Sequence, residues 1–259
     1  MDLGIAGRWA LVCAASKGLG KGCAKALVGE GVNVVVTARG DDALQATAAE
    51  LRALNPAVQV IAVAGDITTP AGRSAALAAA PQVDILVNNA GGPPPGDFRD
   101  WDRDAWIAAL DANMLTPIEL MKATVDAMAQ RGFGRIVNIG SIHSLVASPF
   151  KSAYVAAKHG LVGFTRTIAL ETAGVDVTIN TICPSYVKTP LVDKQIADQA
   201  RTRGLPESEI IREVMLKPMP KGVFIGIDEL AGITAFLVSP AARNITGQMI
   251  IVDGGWTAQ

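Results

Sequence analysis

Cysteine, histidine and tyrosine are scarce in this sequence of 259 residues, which contains 3 Cys, 2 His and 2 Tyr. So few thiol and imidazole groups, without metal-ligand spacing, exclude a zinc module or a disulfide scaffold, and we expect no metal site. The three cysteines are Cys13, Cys23 and Cys183. Because unpaired cysteines usually behave as small apolar side chains, we expect them to be buried in a protein of a reducing compartment, the cytoplasm.

An excess of positive charge and long apolar runs are also missing. The formal net charge is −1, and without a basic surplus we expect no nucleic-acid partner. The apolar stretch at residues 9–15 is too short to span a bilayer, so we expect no membrane association. Half of the residues are apolar and 18% are charged. This composition is typical of a globular chain that can bury a sizeable core.

Short β-rich runs alternate with longer helical stretches along the chain. Several runs are almost continuously apolar, which suits strands that helices cover on both faces. The alternation predicts an α/β fold, a single domain over residues 1–259 with a doubly wound parallel sheet of about seven strands. The predicted strands are residues 9–14, 33–38, 58–63, 84–88, 135–140, 177–183 and 249–252. The predicted helices start near Leu19, Asp41, Pro70, Arg103, Ser152, Pro190 and Asp228.

Two segments do not fit this alternation. Residues 91–96 contain three consecutive prolines, which can continue neither a helix nor a central strand. Residues 188–226 form a long mixed stretch between the sixth and seventh predicted strands. Long excursions of this kind are often lids over a binding site, and we predict a substrate lid here. The alternative is a surface insertion without a role.

The first predicted strand runs into a turn with two glycines that leads into a helix. Glycine lets main-chain N–H groups approach a pyrophosphate at a helix N-terminus, where the helix dipole favours negative charge. Such a turn can also be a plain strand-to-helix connection, so both interpretations stay open. In a Rossmann-type nucleotide site the contacts would come from Ala14, Ser16, Lys17, Gly18, Leu19 and Gly20.

The end of the second strand bears on the choice of nucleotide. In such sites an acidic residue often ends this strand and bonds the ribose 2′-hydroxyl. Here Arg39 ends it instead, and Arg39 with Lys17 could pair with a 2′-phosphate. Asp41 and Asp42 follow, but they suit the first turn of the next helix. We therefore favour NADP(H), with NAD(H) as the alternative if Arg39 is only a solvated surface charge.

Tyr154 and Lys158 lie four residues apart and so share one face of a predicted helix. Alone, this spacing is common and could be a surface pair. The chain also has, in order, the glycine turn, Asn-Asn-Ala-Gly at residues 88–91, Asn113 and Ser141. With these motifs in this order over essentially its whole length, the chain resembles the short-chain dehydrogenase/reductase family.

The resemblance implies a nicotinamide-dependent oxidoreductase that moves a hydride between the cofactor and a carbonyl or secondary-alcohol carbon. Tyr154 would transfer the proton, and Lys158 would favour its phenolate and hold the nicotinamide ribose. Ser141 would hydrogen-bond the substrate oxygen, and Asn113 would hold a water that links Lys158 to solvent. The other cofactor contacts that the resemblance implies are Asp66, Ile67, Asn88, Ala90, Gly91, Pro184, Val187 and Thr189.

Two positions depart from the family's usual pattern. Cys13-Ala14 stands where the family has Thr-Gly. A methyl group at Ala14 is acceptable if its φ is negative, so we expect a slightly remodelled turn. Pro184-Ser185 stands where the family has Pro-Gly, which weakens the expected contact with the nicotinamide.

The C-terminal half is similar to D-3-hydroxybutyrate dehydrogenases, in which residues matching His143, Lys151 and Gln195 hold the substrate carboxylate. We add Tyr186 as a candidate substrate contact. Those enzymes have a glutamine where this chain has Pro93, their cofactor is NAD, and the N-terminal half looks more like 3-oxoacyl-carrier-protein reductases. The substrate therefore stays open between a 3-oxoacyl or 3-hydroxyacyl compound and a small 3-hydroxy acid. His143 and Lys151 could also be polar rim residues.

A non-catalytic dinucleotide sensor on the same fold is the alternative from another class of protein. The complete set of Asn113, Ser141, Tyr154 and Lys158 argues against it. The partner expected is a small-molecule substrate. The helix that starts at Ser152 is apolar or small on most faces, which predicts that a second subunit buries it, and the resemblance implies a homotetramer.

Pro117 falls inside a helical stretch predicted over residues 103–130. Proline has no N–H for the carbonyl four residues back, here that of Asn113, and its ring clashes with that carbonyl, so we expect a kink. A freed, buried carbonyl needs another partner, and water is the simplest one. The alternative is that Pro117 only bends the helix around the core.

Overall fold

The sheet at the centre of the molecule agrees with the alternation of the sequence. The computed structural model describes residues 2–92 and 96–258, and within them parallel strands form one seven-stranded sheet. The strands are β1 Trp9–Val12, β2 Asn33–Ala38, β3 Val60–Ala64, β4 Ile85–Asn88, β5 Gly134–Ile139, β6 Val177–Pro184 and β7 Met249–Val252. All the predicted strands are confirmed, with ends that shift by at most two residues.

The order of the strands positions the candidate site. The order across the sheet is β3-β2-β1-β4-β5-β6-β7, so successive connections run in opposite directions on the two sides of β1 and β4. At such a reversal the loops after the two strands separate and leave a crevice at the carboxyl edge of the sheet. The glycine turn follows β1 and residues 89–92 follow β4, so both segments border this crevice.

Helices cover both faces of the sheet. Buried side chains of α1, α2 and α9 form one core against it, and those of α3, α5 and α6 form a second core on the opposite face. The predicted helix starts are confirmed to within one residue. In the described residues the helices are α1 Gly18–Gly29, α2 Asp41–Leu54, α3 Pro70–Ala79, α4 Arg103–Leu110, α5 Thr116–Arg131, α6 Ser152–Glu171, α7 Pro190–Arg203, α8 Glu207–Ile210 and α9 Ile227–Leu237.

The helical stretch predicted over residues 103–130 is interrupted. Between α4 and α5, Asp111–Leu115 form a π-helical turn, in which the N–H of Thr116 donates to the carbonyl of Asp111. Pro117 has no N–H to donate to the carbonyl of Asn113, four residues back, or to that of Ala112, five residues back. The regular pattern of α-helical hydrogen bonds is therefore interrupted here. The irregularity expected at Pro117 is therefore a π turn, and a water at the Asn113 carbonyl stays a prediction.

The segment at residues 188–226, predicted as a lid, has a small apolar cluster of its own. Val192 and Ile196 of α7 pack there with Ile210 and Met215, and all four are buried. At the base of the segment, Val187 and Ile225 form an isolated parallel β-bridge. A body with its own core and a narrow base suits a lid, which stays a prediction.

The remaining expectations concern cysteines, prolines and membranes. Cys13, Cys23 and Cys183 are buried and free, as expected. The proline run at residues 93–95 lies outside the described residues. Among residues 2–92 and 96–258, no helix combines the length and the apolar character that a bilayer crossing needs.

The conformation of Ala14 corrects the expectation for the glycine turn, because its φ is +51° rather than negative. The turn is fixed by its neighbours: the Asn89 amide donates to the Ala14 carbonyl at 3.3 Å, and the Ala15 N–H donates to the Thr37 carbonyl at 2.8 Å. Ala14 must therefore adopt the left-handed conformation that glycine adopts freely. Strain of about 1–2 kcal/mol follows, and the turn keeps its shape.

Replacing Ala14 by glycine is expected to stabilise the protein. The relief of strain exceeds the extra entropy of an unfolded glycine by about 1 kcal/mol, which raises Tm by about 2–4 °C in thermal unfolding. The matched control is Ala46→Gly, at an exposed position inside α2, which is expected to lower Tm. A lower Tm for Ala14→Gly would show that the turn does not strain Ala14.

Candidate functional site

The glycine turn after β1 provides an open helix N-terminus. Lys17 occupies the N-cap position of α1 without a side-chain capping bond, and the first turn contains no acidic residue. Gly18 has a φ of +57°, and a Cβ on Gly20 would lie 2.5 Å from the amide nitrogen of Asn89. The N–H groups of the first turn therefore have no side-chain acceptor, and the turn tolerates no side chain at Gly20. Both features fit the pyrophosphate of a dinucleotide.

The segments after β1, β2 and β3 supply two exposed cations, Lys17 and Arg39, and the carboxylate of Asp66. In the described part of the chain, neither Lys17 nor Arg39 forms an ion pair with an acidic residue. Hydrogen bonds from the Thr68 main chain and hydroxyl, at 3.0 and 2.8 Å, hold Asp66 and are the main reason why its pKa lies below the usual value. Arg39 lowers the pKa of Asp66 further, so the two side chains share one region. Ile67, the next residue, is buried.

Residues 88–91, at the end of β4 and just after it, divide into structural and lining positions. Asn88 is buried and donates to the Asn138 side chain at 2.8 Å. Asn89, which we did not single out from the sequence, bonds the carbonyls of residues 13 and 14 and so ties the β4 loop to the glycine turn. Its signal was the second Asn of the motif. Ala90 is half-buried and Gly91 is exposed at the crevice.

The candidate catalytic side chains come from β5 and α6. Ser141 follows β5, and its hydroxyl accepts a hydrogen bond from the His143 N–H at 3.2 Å. Tyr154 and Lys158 lie in the first two turns of α6. Lys158 is buried and its ammonium donates to the Ile139 carbonyl at 2.8 Å. The same nitrogen lies 5.6 Å from the centre of the Tyr154 ring.

Burial acts on the pKa values of this pair in opposite directions. It raises the pKa of Tyr154, and the Ser141 hydroxyl partly offsets that rise. Burial lowers the pKa of Lys158 to about 8. Lys158 therefore keeps its charge at neutral pH, and a nearby cation favours the phenolate of Tyr154.

Asn113 lies at the centre of the π-helical turn and is fully buried. Its amide nitrogen donates to the Ala109 carbonyl at 3.0 Å, while its Oδ1 has no partner in the described residues. Gly92 lies between this oxygen and Tyr154: a Cβ there would lie 3.3 Å from Oδ1 and 2.6 Å from the Tyr154 ring. Gly92 is a site residue that the sequence did not reveal, because the contact joins distant segments.

His143 and Lys151 meet beside Tyr154. Nε2 of His143 lies 3.3 Å from the Lys151 ammonium, and the His143 and Tyr154 rings meet edge to face with centroids 6.0 Å apart. Burial and the charge of Lys151 lower the pKa of His143 to about 4. A charged Lys151 can only donate, so Nε2 of His143 accepts and the ring proton is on Nδ1, which has no partner in the described residues.

The other substrate candidates are Tyr186, just before the segment at residues 188–226, and Gln195 within it. Tyr186 stacks on Trp256, with centroids 6.3 Å apart and planes at 24°. We did not assign Trp256, which follows β7, from the sequence. Gln195 is half-buried on α7, and the structure records no hydrogen bond from its side chain within residues 2–92 and 96–258. It is therefore not joined to His143 and Lys151.

Three candidate cofactor contacts come from the end of β6 and the residues that follow it. Pro184 ends β6 and Val187 is buried in the bridge at the base of the lid segment. Thr189 caps α7, and its methyl carbon would lie 3.6 Å from a Cβ on Gly18. The start of α7 therefore lies against the glycine turn.

Comparison with known proteins agrees with this geometry. A sequence model described as short chain dehydrogenase matches residues 8–200. The chain belongs to the short-chain dehydrogenase family. It is an oxidoreductase that acts on a hydroxyl or carbonyl group, as its relatives' names as dehydrogenases and reductases indicate.

The relatives include both branches that the sequence resembles. The chain is 41% identical over 255 residues to the D-beta-hydroxybutyrate dehydrogenase of Rhizobium meliloti, covering 96% of this chain and 98% of that protein. It is 32% identical over 253 residues to the 3-oxoacyl-[acyl-carrier-protein] reductase of Escherichia coli, covering 96% and 97%. The structure of the L-sorbose reductase of Gluconobacter frateurii with NADPH and L-sorbose matches with a TM-score of 0.94, at 28% identity and full coverage of both chains.

The depressed pKa of His143 predicts a loss of stability in acid. Unfolded, the imidazole takes up a proton below its usual pKa of 6.5, whereas in the folded protein it stays neutral until about pH 4. The contribution of neutral His143 to the free energy of unfolding is therefore complete above pH 6.5. It is lost as the pH falls towards 4, by up to about 3 kcal/mol. His143→Gln is expected to make the free energy of unfolding from denaturant titrations fall less between pH 7 and 4.5.

The control for this measurement is His159→Gln, because His159 is an exposed histidine of α6. That variant is expected to lose as much stability in acid as the unmodified protein. An equal pH dependence in His143→Gln would contradict the assignment of the acid-sensitive step to His143.

Proposed function

We propose that this protein transfers a hydride between NADP(H) and a small 3-hydroxy or 3-oxo acid, with Tyr154 as the proton-transfer group. The observation that carries the substrate class is the contact between Lys151 and His143 beside Tyr154. A cation beside Tyr154 suits a substrate whose carboxylate lies two bonds from the carbon that takes or gives up the hydride. The similarity to a D-beta-hydroxybutyrate dehydrogenase along nearly the whole chain supports the same class.

For cofactor binding, the first turn of α1 would take the pyrophosphate, and Asp66 would meet the adenine. Arg39 and Lys17 would pair with the 2′-phosphate, because both cations are exposed and neither forms an ion pair in the part of the chain that the structure describes. Lys158 would hold the nicotinamide ribose. When bound, the dinucleotide supplies or accepts the hydride.

The proton step rests on the chain's own groups. In reduction, the Tyr154 hydroxyl donates its proton to the oxygen of the substrate carbonyl, and in oxidation the phenolate removes the proton of the alcohol. The Lys158 ammonium stabilises that phenolate, and the Ser141 hydroxyl bonds the same substrate oxygen. Gly92 lets the loop after β4 lie directly against the Tyr154 ring, where a Cβ would not fit.

Substrate recognition would use the Lys151–His143 pair. Lys151 pairs with the carboxylate, and the Nδ1–H of His143, which has no protein partner in the described residues, is free for a substrate oxygen. Tyr186 and Trp256 supply an apolar wall, and the segment at residues 188–226 closes over the site. We also propose a homotetramer, in which another subunit covers the exposed Leu170 at the end of α6.

Lys151→Ala tests the substrate class. Because a charged hydrogen-bonded pair contributes about 1.5–3 kcal/mol, kcat/KM for acetoacetate is expected to fall about 10- to 150-fold, mainly through KM. The value for a neutral ketone is expected to change less than about threefold. Lys122→Ala, an exposed lysine on α5, is the control and should alter neither. An equal fall for acid and ketone would favour an acyl thioester or a general ketone as substrate.

Arg39→Asp tests the cofactor. The unmodified protein is expected to bind NADPH more tightly than NADH in fluorescence titrations, and the variant is expected to reverse the order, because the new carboxylate repels the 2′-phosphate and accepts a bond from the 2′-hydroxyl. Arg103→Asp, at the exposed first residue of α4, provides a charge-matched control. Equal affinities for the two nucleotides in the unmodified protein would point to NAD(H) as an equal cofactor.

A further inference from the structure

Three neighbouring strands place polar side chains in one row inside the sheet. The strand register pairs Asn88 of β4 with Asn138 of β5, and Asn138 with Thr181 of β6. The residues two positions earlier on each strand belong to the core beneath α5 and α6, so the row faces these helices. All three side chains are buried. Parallel strands covered on both faces are normally apolar at such positions.

The row is connected by hydrogen bonds and ends on the helix that carries Tyr154. The Asn88 amide donates to the Asn138 oxygen at 2.8 Å, and the Asn138 amide donates to the Thr165 hydroxyl of α6 at 3.0 Å. The Thr181 hydroxyl donates to the same Thr165 oxygen at 3.1 Å. Thr165 is itself 1% exposed, so water cannot replace these bonds.

A second bond joins the same two elements. Ile139, next to Asn138 on β5, accepts the hydrogen bond of the Lys158 ammonium at 2.8 Å. Thr165 lies seven residues after Lys158, which is two helical turns or about 10 Å along the same face of α6. Adjacent residues of β5 therefore hold α6 at two points, and two such points fix the tilt of the helix against the sheet.

We propose that Asn138 is a positioning residue, which with Thr165 fixes the helix of Tyr154 and Lys158 relative to β5, the strand that leads to Ser141. The proposal rests on the proton-transfer role proposed for Tyr154. A buried network of hydrogen bonds selects one packing of its elements where apolar side chains allow several. A misplacement of about 1 Å between reacting groups can lower a rate about 100-fold, so the tilt of α6 matters for proton transfer.

Thr165→Val tests this proposal, because valine keeps the shape of threonine and removes the oxygen that accepts both bonds. The expected result is a fall in kcat of about tenfold or more, with the Kd for NADPH changed less than about twofold. Thr165→Ser restores the hydroxyl and is expected to keep kcat within about threefold. If Thr165→Val does not fold, Asn138→Ala is measured in the same way, with the same expected fall.

Thr124→Val is the matched control. Thr124 is also buried, on α5, but its hydroxyl bonds only carbonyls of its own helix. It should lose a similar amount of stability while kcat stays within about threefold. Equal kcat losses in Thr165→Val and Thr124→Val, or a loss in Thr165→Ser as large as in Thr165→Val, would overturn the proposal.

Tyr154→Phe separates this proposal from the proposed function. If Tyr154→Phe keeps most of its activity, the proton-transfer role of Tyr154 is wrong and the positioning argument falls with it. If Tyr154→Phe is inactive and Thr165→Val matches the Thr124→Val control, only the role of Asn138 and Thr165 is wrong.

Discussion

The buried ammonium group of Lys158 is the constraint on which the arrangement of the candidate site depends. A cation without water is stable only if it is bonded, and its bond in the described residues goes to the main-chain carbonyl of Ile139. That carbonyl is at the end of β5, so the first turns of α6 must lie over the carboxyl edge of the sheet. Tyr154, one turn earlier on the same face, is thereby brought beside Ser141, which follows the same strand.

The second constraint is that the candidate site is built from loops after different strands, which hydrogen bonds and close contacts must hold together. Asn89 ties the loop after β4 to the turn after β1, and Gly92 brings the same loop against the Tyr154 ring. Thr189 brings the start of α7 against Gly18. Each contact joins a segment of the proposed cofactor site to another strand or helix, so the glycine turn and the proton-transfer pair are held by one connected set of contacts.

The sequence predicts the elements of this fold well, because strands and helices are set by local patterns of apolar residues, caps and turns. The order of the polar motifs likewise indicated which residues gather at the carboxyl edge. The prediction of a negative φ at Ala14 was wrong. The Asn89 amide donates to the Ala14 carbonyl and the Thr37 carbonyl accepts from the Ala15 N–H, and these partners, which are distant in sequence, outweigh the local preference of a residue with a methyl group. The roles of Gly92 and Asn138 were not predicted either, and the reason is the same. Their contacts depend on strand register and on the approach of remote loops, which a single sequence does not display.

The two halves of the chain resemble different branches of the family, and the geometry explains how they can be combined. The charges that would choose the nucleotide lie at the end of β2 and in the turn after β1, on one side of the strand reversal. The pair that would choose the substrate, His143 and Lys151, lies after β5, on the other side. Between them, hydrogen bonds from Asn88 to Asn138 and from Asn138 to Thr165 connect β4 to α6. Selection of the nucleotide and selection of the substrate can therefore change independently, while the network between them keeps the positions at which the hydride and the proton would move.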